Sequence, residues 1–179
     1  MATAPARYGA VARAFHWFTA LAVPVMIAAG ALMTSEPLSH LADPLFVLHK
    51  GLGTILLVVV VLRVGWRITH PPPELPETVA PRQRRLMRVT HISLYLLLVV
   101  MTVSGYVRTV GDGFPIELLD ILGIPPLLPS MPEAARIALV VHQVTAYLLT
   151  ALVAVHVGAA VQDALIDKRG IFRRMWLRE

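Results

Sequence analysis

Three stretches of the chain run without a single Asp, Glu, Lys or Arg: Ala14 to Ser35 (22 residues), Val89 to Val107 (19) and Ile137 to Gln162 (26). A helix needs about 20 residues to cross the roughly 30 Å hydrocarbon layer of a bilayer, so each stretch is long enough to span. A fourth, Pro44 to Leu62, is interrupted only by Lys50 near its start. A lysine one turn inside a helix end can extend its stem to the headgroups, so this stretch also counts as a span. The runs are continuous Val, Leu and Ala, without the alternation of a barrel strand, and in lipid that leaves helices as the spanning form. Four spans are expected, at about 14–34, 45–66, 89–109 and 137–162. The first has no clear small-residue cleavage site and outruns a signal-peptide core, so it reads as a retained span.

Composition excludes the main alternatives. Hydrophobic residues make up 56% of the chain and charged ones 15%, against about 25% charged in soluble domains. A soluble domain of 179 residues could not hide that much apolar surface, and a disordered chain would not carry it. Cysteine is absent, which removes disulfides, thiolate metal sites, iron–sulfur clusters and a thiol nucleophile. The net charge of +5 is explained by position. Thirteen of sixteen cations lie in the N-terminal tail, around the second loop or in the C-terminal tail (Arg178 among them), all on one side of a four-span protein. The other side has Lys50, Arg108 and Arg136 beside six acids. The positive-inside rule therefore predicts an all-α integral membrane protein, a four-transmembrane-helix bundle in one domain over 1–179, with both termini cytoplasmic. Arginine-rich ends of this kind touch anionic lipid, and no nucleic-acid partner is expected. Pro71-Pro72-Pro73 ends the second helix. Residues 111–134 hold five prolines and are expected to form a surface-lying flap with one short interfacial helix.

The seven histidines carry the chemistry. His40 and His70 fall in loops and read as solvated. His16, His49, His91, His142 and His156 lie within spans or at their ends, where ionisable groups are costly and mark function. The competing reading is interfacial histidines bound to headgroups or neighbouring helices; it suits one isolated residue better than five. His142 and His156 are 14 residues apart on one helix, which places them within roughly 40° of one another and about 21 Å apart along the axis. A zinc site cannot use ligands so far apart. Two haem groups can, each closed by a second histidine for electron transfer. By depth, the periplasmic haem takes His49 with His142, and the cytoplasmic haem takes His156 with either His16 or His91.

Spacing adds further candidates. Gly30 follows His16 by fourteen residues, and Gly105 follows His91 by the same number. Each glycine shares a face with its histidine at the depth of the other haem, where a missing side chain lets the helix approach a porphyrin. Gly53 lies one turn after His49 on the same face. Generic helix packing is the alternative for each glycine. Arg63, fourteen residues after His49, faces the cytoplasmic layer, and Lys50 the periplasmic one. Either could pair with a haem propionate, with topology and snorkelling as the rival roles.

The motifs that carry a family resemblance are Ala14-Phe15-His16-Trp17; His49-Lys50-Gly51-Leu52-Gly53 with Leu62-Arg63-Val64-Gly65-Trp66-Arg67; His91-Ile92-Ser93-Leu94-Tyr95 with Ser104-Gly105-Tyr106; and His142 with His156-Val157-Gly158. The tail Asp167-Lys168-Arg169-Gly170 also fits. Together they resemble the bacterial cytochrome b561 family of di-haem membrane cytochromes, related to the b-type subunits of hydrogenases and formate dehydrogenases. The resemblance covers nearly the whole chain. It implies an inner-membrane bundle with two haem b groups, metal-ligated by His16 with His156 and by His49 with His142, and His91 as a haem-contacting residue. It also implies electron transfer, with superoxide to ubiquinone as one family activity. Other relatives serve as quinone-linked partners of periplasmic oxidoreductases, so a haem-bearing anchor for a separate dehydrogenase or hydrogenase is the alternative. A haem-free scaffold or transporter is the third reading. Many relatives carry a His-His pair about two turns after the last ligand, where this chain has Asp163-Ala164. Bis-histidine ligation leaves no open iron position. If the donor is anionic, Lys50, Arg108 and Arg136 are expected to steer it.

Overall fold

The computed structural model of the protein describes residues 7–176. It is all-helical, with no strand among the described residues. Four long helices, α1 (Ala10–Leu32), α2 (Ala42–Thr69), α3 (Pro81–Gly111) and α5 (Pro132–Gln162), are joined by loops, and a short helix, α4 (Glu117–Ile121), follows α3. The four long elements are apolar enough to cross a membrane. Arg178, one of the cations used to orient the chain, lies outside the described residues.

The helices outrun the uncharged windows. α3 begins at Pro81 and takes in Arg82, Arg84, Arg85 and Arg88, and α5 begins at Pro132. Both starts have proline in the first turn, where its missing N–H costs nothing. Freedom from charge measures the hydrocarbon depth, whereas the helix itself continues among the headgroups, where arginine is at home.

α3 packs closely on α5, α1 on α2, and α2 on α3, while α5 does not pack closely on α1 or α2. On α5 the inward stripe is Ala135, Ala138, His142, Thr145, Leu149, Val153 and His156, in steps of three or four as a packed helix face must be. Val23, Val60, Leu98 and Leu149, one from each long helix, form the buried centre, with Ile27, Val64, Leu94 and Val153 against them. Leu149 lies midway between His142 and His156, so this apolar layer separates the two histidine levels. Leu21, Val58, Val61, Leu96 and Val155 are exposed on the outside of the bundle, as a lipid-facing surface allows.

Both ends are closed by polar contacts. At the end that carries the termini, Tyr8 N–H donates to Arg174 O (3.2 Å) and Trp17 Nε1 to Met175 O (2.7 Å). Buried Arg174 donates to the carbonyls of Pro73 (2.5 Å) and Glu74 (2.9 Å). α5 passes into a π turn at Asp163–Asp167, after which Lys168 is left-handed at φ 53°. At the far end, Met131 N–H and Ser130 Oγ donate to Gly111 O. A Cβ on Gly111 would lie 3.1 Å from that of Ala135, so α3 and α5 cross closely there.

Candidate functional site

Two pairs of imidazoles face each other across the space that α5 leaves against α1 and α2. The rings of His49 and His142 have centroids 6.1 Å apart and planes at 77°. Those of His16 and His156 are 6.4 Å apart at 74°. Two imidazoles on opposite sides of one metal ion, with bonds of about 2 Å and nitrogens roughly 1.1 Å from their ring centres, need centroids about 6.2 Å apart. Both pairs match that spacing. Among the described residues no group of three or more His, Cys, Asp or Glu side chains could hold a bare metal ion. Each pair therefore suits a metal that brings its remaining ligands with it, as iron in a planar macrocycle does.

His91 approaches the same layer from α3, with its ring centroid 5.4 Å from that of His156. That is too close for a metal with two ordinary bonds, and it reaches His156 from the side where α3 and α5 are packed together.

The surroundings orient the rings. His142 Nδ1 lies 3.0 Å from Met101 O, so it carries the proton and donates. The lone pair is then on Nε2. Ser104 Oγ is 3.3 Å from the same nitrogen. His49 Nδ1 is buried and makes no hydrogen bond of ordinary geometry among the described residues. Arg63 reaches His16 Nδ1 (3.3 Å) and Tyr95 Oη (3.4 Å), with its guanidinium 5.2 Å from the Tyr95 ring centre.

The glycines act on the imidazoles. A Cβ on Gly30 would lie 3.2 Å from His49 Cε1, and one on Gly105 would lie 2.9 Å from His142 Cε1. Both glycines are at the level read from the sequence, but the space they leave is filled by a histidine ring. Gly53 faces Met26 Cε at 3.3 Å and touches no imidazole.

The far-end cations are all engaged. Lys50 Nζ donates to Glu117 Oε1 (2.6 Å) and Pro115 O (2.8 Å), while Arg108 pairs with Asp112 and Arg136 with Glu133. Each faces a carboxylate, so their combined attraction for an anion is small, and the steering expected from their sequence positions is weakened. Lys50 instead ties the flap to α2, where Leu118 also rests against Gly51. The hydrogen bond from Lys50 holds the Glu117 carboxyl below the usual carboxylate range. A depressed folded-state value means the tether is intact at neutral pH and is lost as pH falls through that value. Amide protection in α4 is expected to persist until the pH drops below the ordinary glutamate range, and Glu117→Gln to lower it already at neutral pH; hydrogen exchange across α4 measures both.

Asp163, singled out in the sequence as a departure from the resembled family, is buried. It accepts from Phe172 N–H (2.9 Å) and Arg169 Nε (3.4 Å), and Arg169 also donates to Gln83 (2.7 Å). In this chain that position fastens the C-terminal segment to the bundle.

A family model described as prokaryotic cytochrome b561 matches residues 7–178. Cytochrome b561 homolog 2 of Escherichia coli (strain K12) is 34% identical over 175 residues, covering 96% of this chain and 92% of its own length.

Proposed function

The chain belongs to the prokaryotic cytochrome b561 family, and from that membership we propose that it is a membrane electron carrier with two haem b groups, passing electrons from a periplasmic donor, superoxide among them, to ubiquinone. The observation that carries the reading is the two facing imidazole pairs, at 6.1 and 6.4 Å, stacked along one helix. His49 and His142 would hold one group, and His16 and His156 the other. When bound, each iron supplies one-electron chemistry, and two of them at different depths divide the membrane into shorter steps.

The chain's own residues prepare that relay. The Met101 carbonyl keeps His142 in the tautomer with a free Nε2. Val23, Val60, Leu98 and Leu149 exclude water between the two levels. Arg63 can only donate, so ligation of His16 through Nε2, which protonates Nδ1, turns the guanidinium away toward an anionic neighbour such as a haem propionate. The arginine-rich end is cytoplasmic in this reading, by the positive-inside rule, in an inner membrane.

The test is purified haem-loaded protein in vesicles containing ubiquinone, supplied with enzymatically generated superoxide. Two superoxide ions and two protons would convert one ubiquinone to ubiquinol, releasing two molecules of oxygen. Ubiquinol formation that superoxide dismutase abolishes is the expected result, with little dependence on ionic strength, since the far-end cations are paired. Full haem content without ubiquinol would exclude superoxide as donor and turn the search to a partner oxidoreductase.

A further inference from the structure

α3 supplies neither imidazole of the far-end pair, yet it holds one of them. His142 Nδ1, Met101 O and Ser104 Oγ form a closed triangle: 3.0 Å from nitrogen to carbonyl, 3.3 Å from nitrogen to hydroxyl, and 3.2 Å from hydroxyl to carbonyl. The hydroxyl proton goes to the carbonyl, which leaves the lone pairs of Ser104 Oγ facing the Nδ1–H of His142. Ser104 is 6% exposed. Many hydroxyls in apolar helices bond only to their own preceding turn, as Thr102 does with Leu98 and Val99. Ser104 differs in having a second polar partner on another helix.

We propose that Ser104 is a positioning residue for the far-end centre, sharing the Nδ1–H of His142 with Met101 and thereby making that imidazole a more electron-rich ligand. The inference rests on the two-haem reading above. The partners of the other imidazoles make the effect local. His49 Nδ1 lies toward the Met26 carbonyl without a hydrogen bond of ordinary geometry among the described residues, and His16 Nδ1 meets the donor Arg63. A ligand imidazole whose N–H is held by acceptors favours the oxidised metal. Removing one of two acceptors therefore raises the midpoint potential of the far-end haem and leaves the other untouched.

The test is optical redox titration of purified, haem-loaded protein carrying Ser104→Ala or Ser104→Thr, after haem content has been measured. Ser104→Ala is expected to keep two haems, with one midpoint moved positive. At fixed ambient potential its reduced-to-oxidised ratio rises roughly fivefold, the scale of one ordinary hydrogen bond. Ser104→Thr, which keeps the hydroxyl, is expected to titrate close to the unsubstituted protein. Loss of one haem in the alanine variant with normal content in the threonine variant is the stronger form of the same result. Unmoved potentials, equal movement of both haems, or a threonine variant shifted as far as the alanine one would overturn the inference while leaving the two-haem reading intact. Unsubstituted protein that binds no haem would overturn both.

Discussion

With His16 replaced by alanine, purified protein is expected to carry one haem b per chain instead of two, whereas His91→Ala keeps both. Sequence depth alone leaves these two histidines equal as partners for His156. Geometry separates them in two ways. The His16 pair has the centroid spacing that two metal bonds require, at 6.4 Å, and the His91 pair is short of it, at 5.4 Å. Packing adds a second reason. α3 lies closely against α5, whereas α1 does not. Packed helices sit roughly 8–10 Å axis to axis with their own side chains filling the gap, which leaves no slot for a macrocycle on the His91 side. Haem content by pyridine haemochrome, with optical spectra of both variants, checks the expectation. One haem in His91→Ala and two in His16→Ala would reverse the assignment.

The second large effect is at a residue with no side chain. Gly105→Ala is expected to weaken far-end haem binding by roughly tenfold or more, the scale seen when a group that orients a metal ligand is disturbed. The added methyl would lie 2.9 Å from His142 Cε1 and 3.2 Å from Nδ1. The ring cannot move aside without leaving its hydrogen bond to Met101 and its alignment with His49. Gly30→Ala is gentler, with 3.2 Å to His49 Cε1 and only a poorly aligned Met26 carbonyl at the ring's Nδ1, and partial loss is expected. Gly53→Ala meets only the flexible end of Met26 and should bind haem normally. Haem occupancy at rising haem concentration ranks the three. A Gly105→Ala variant as well loaded as the Gly53 one would contradict the tight packing of this ring.

The spans were legible because charge is excluded from hydrocarbon, and Ala14–Ser35 or Ile137–Gln162 reports that directly. Their ends were not, because Arg82 to Arg88 reads as a loop while being helix among headgroups. Because His142 and His156 share a face of one helix and fix two levels, depth put His49 opposite His142 but left His16 and His91 tied opposite His156, and only the ring spacings in the fold separate them. The glycine spacing was visible too, but what fills the space was not. Gly30 meets His49, and Gly105 meets His142, on other helices. Ser104 stands beside Gly105 in the sequence, which was the signal available for it, but its partner lies 38 residues on, in α5. Likewise nothing local pairs Lys50 with Glu117, 67 positions away, so Lys50 reads as a free cation until the flap folds back over it.

The central claim is that α5 presents two imidazoles, each completed from a different helix, to two iron porphyrins at separate depths. Haem quantification of detergent-purified protein, combined with reduced-minus-oxidised spectra, tests it most directly. Two haem b per polypeptide, both six-coordinate and low-spin, is the result the geometry predicts. A colourless preparation, a single haem per chain, or a five-coordinate iron that binds carbon monoxide would contradict it.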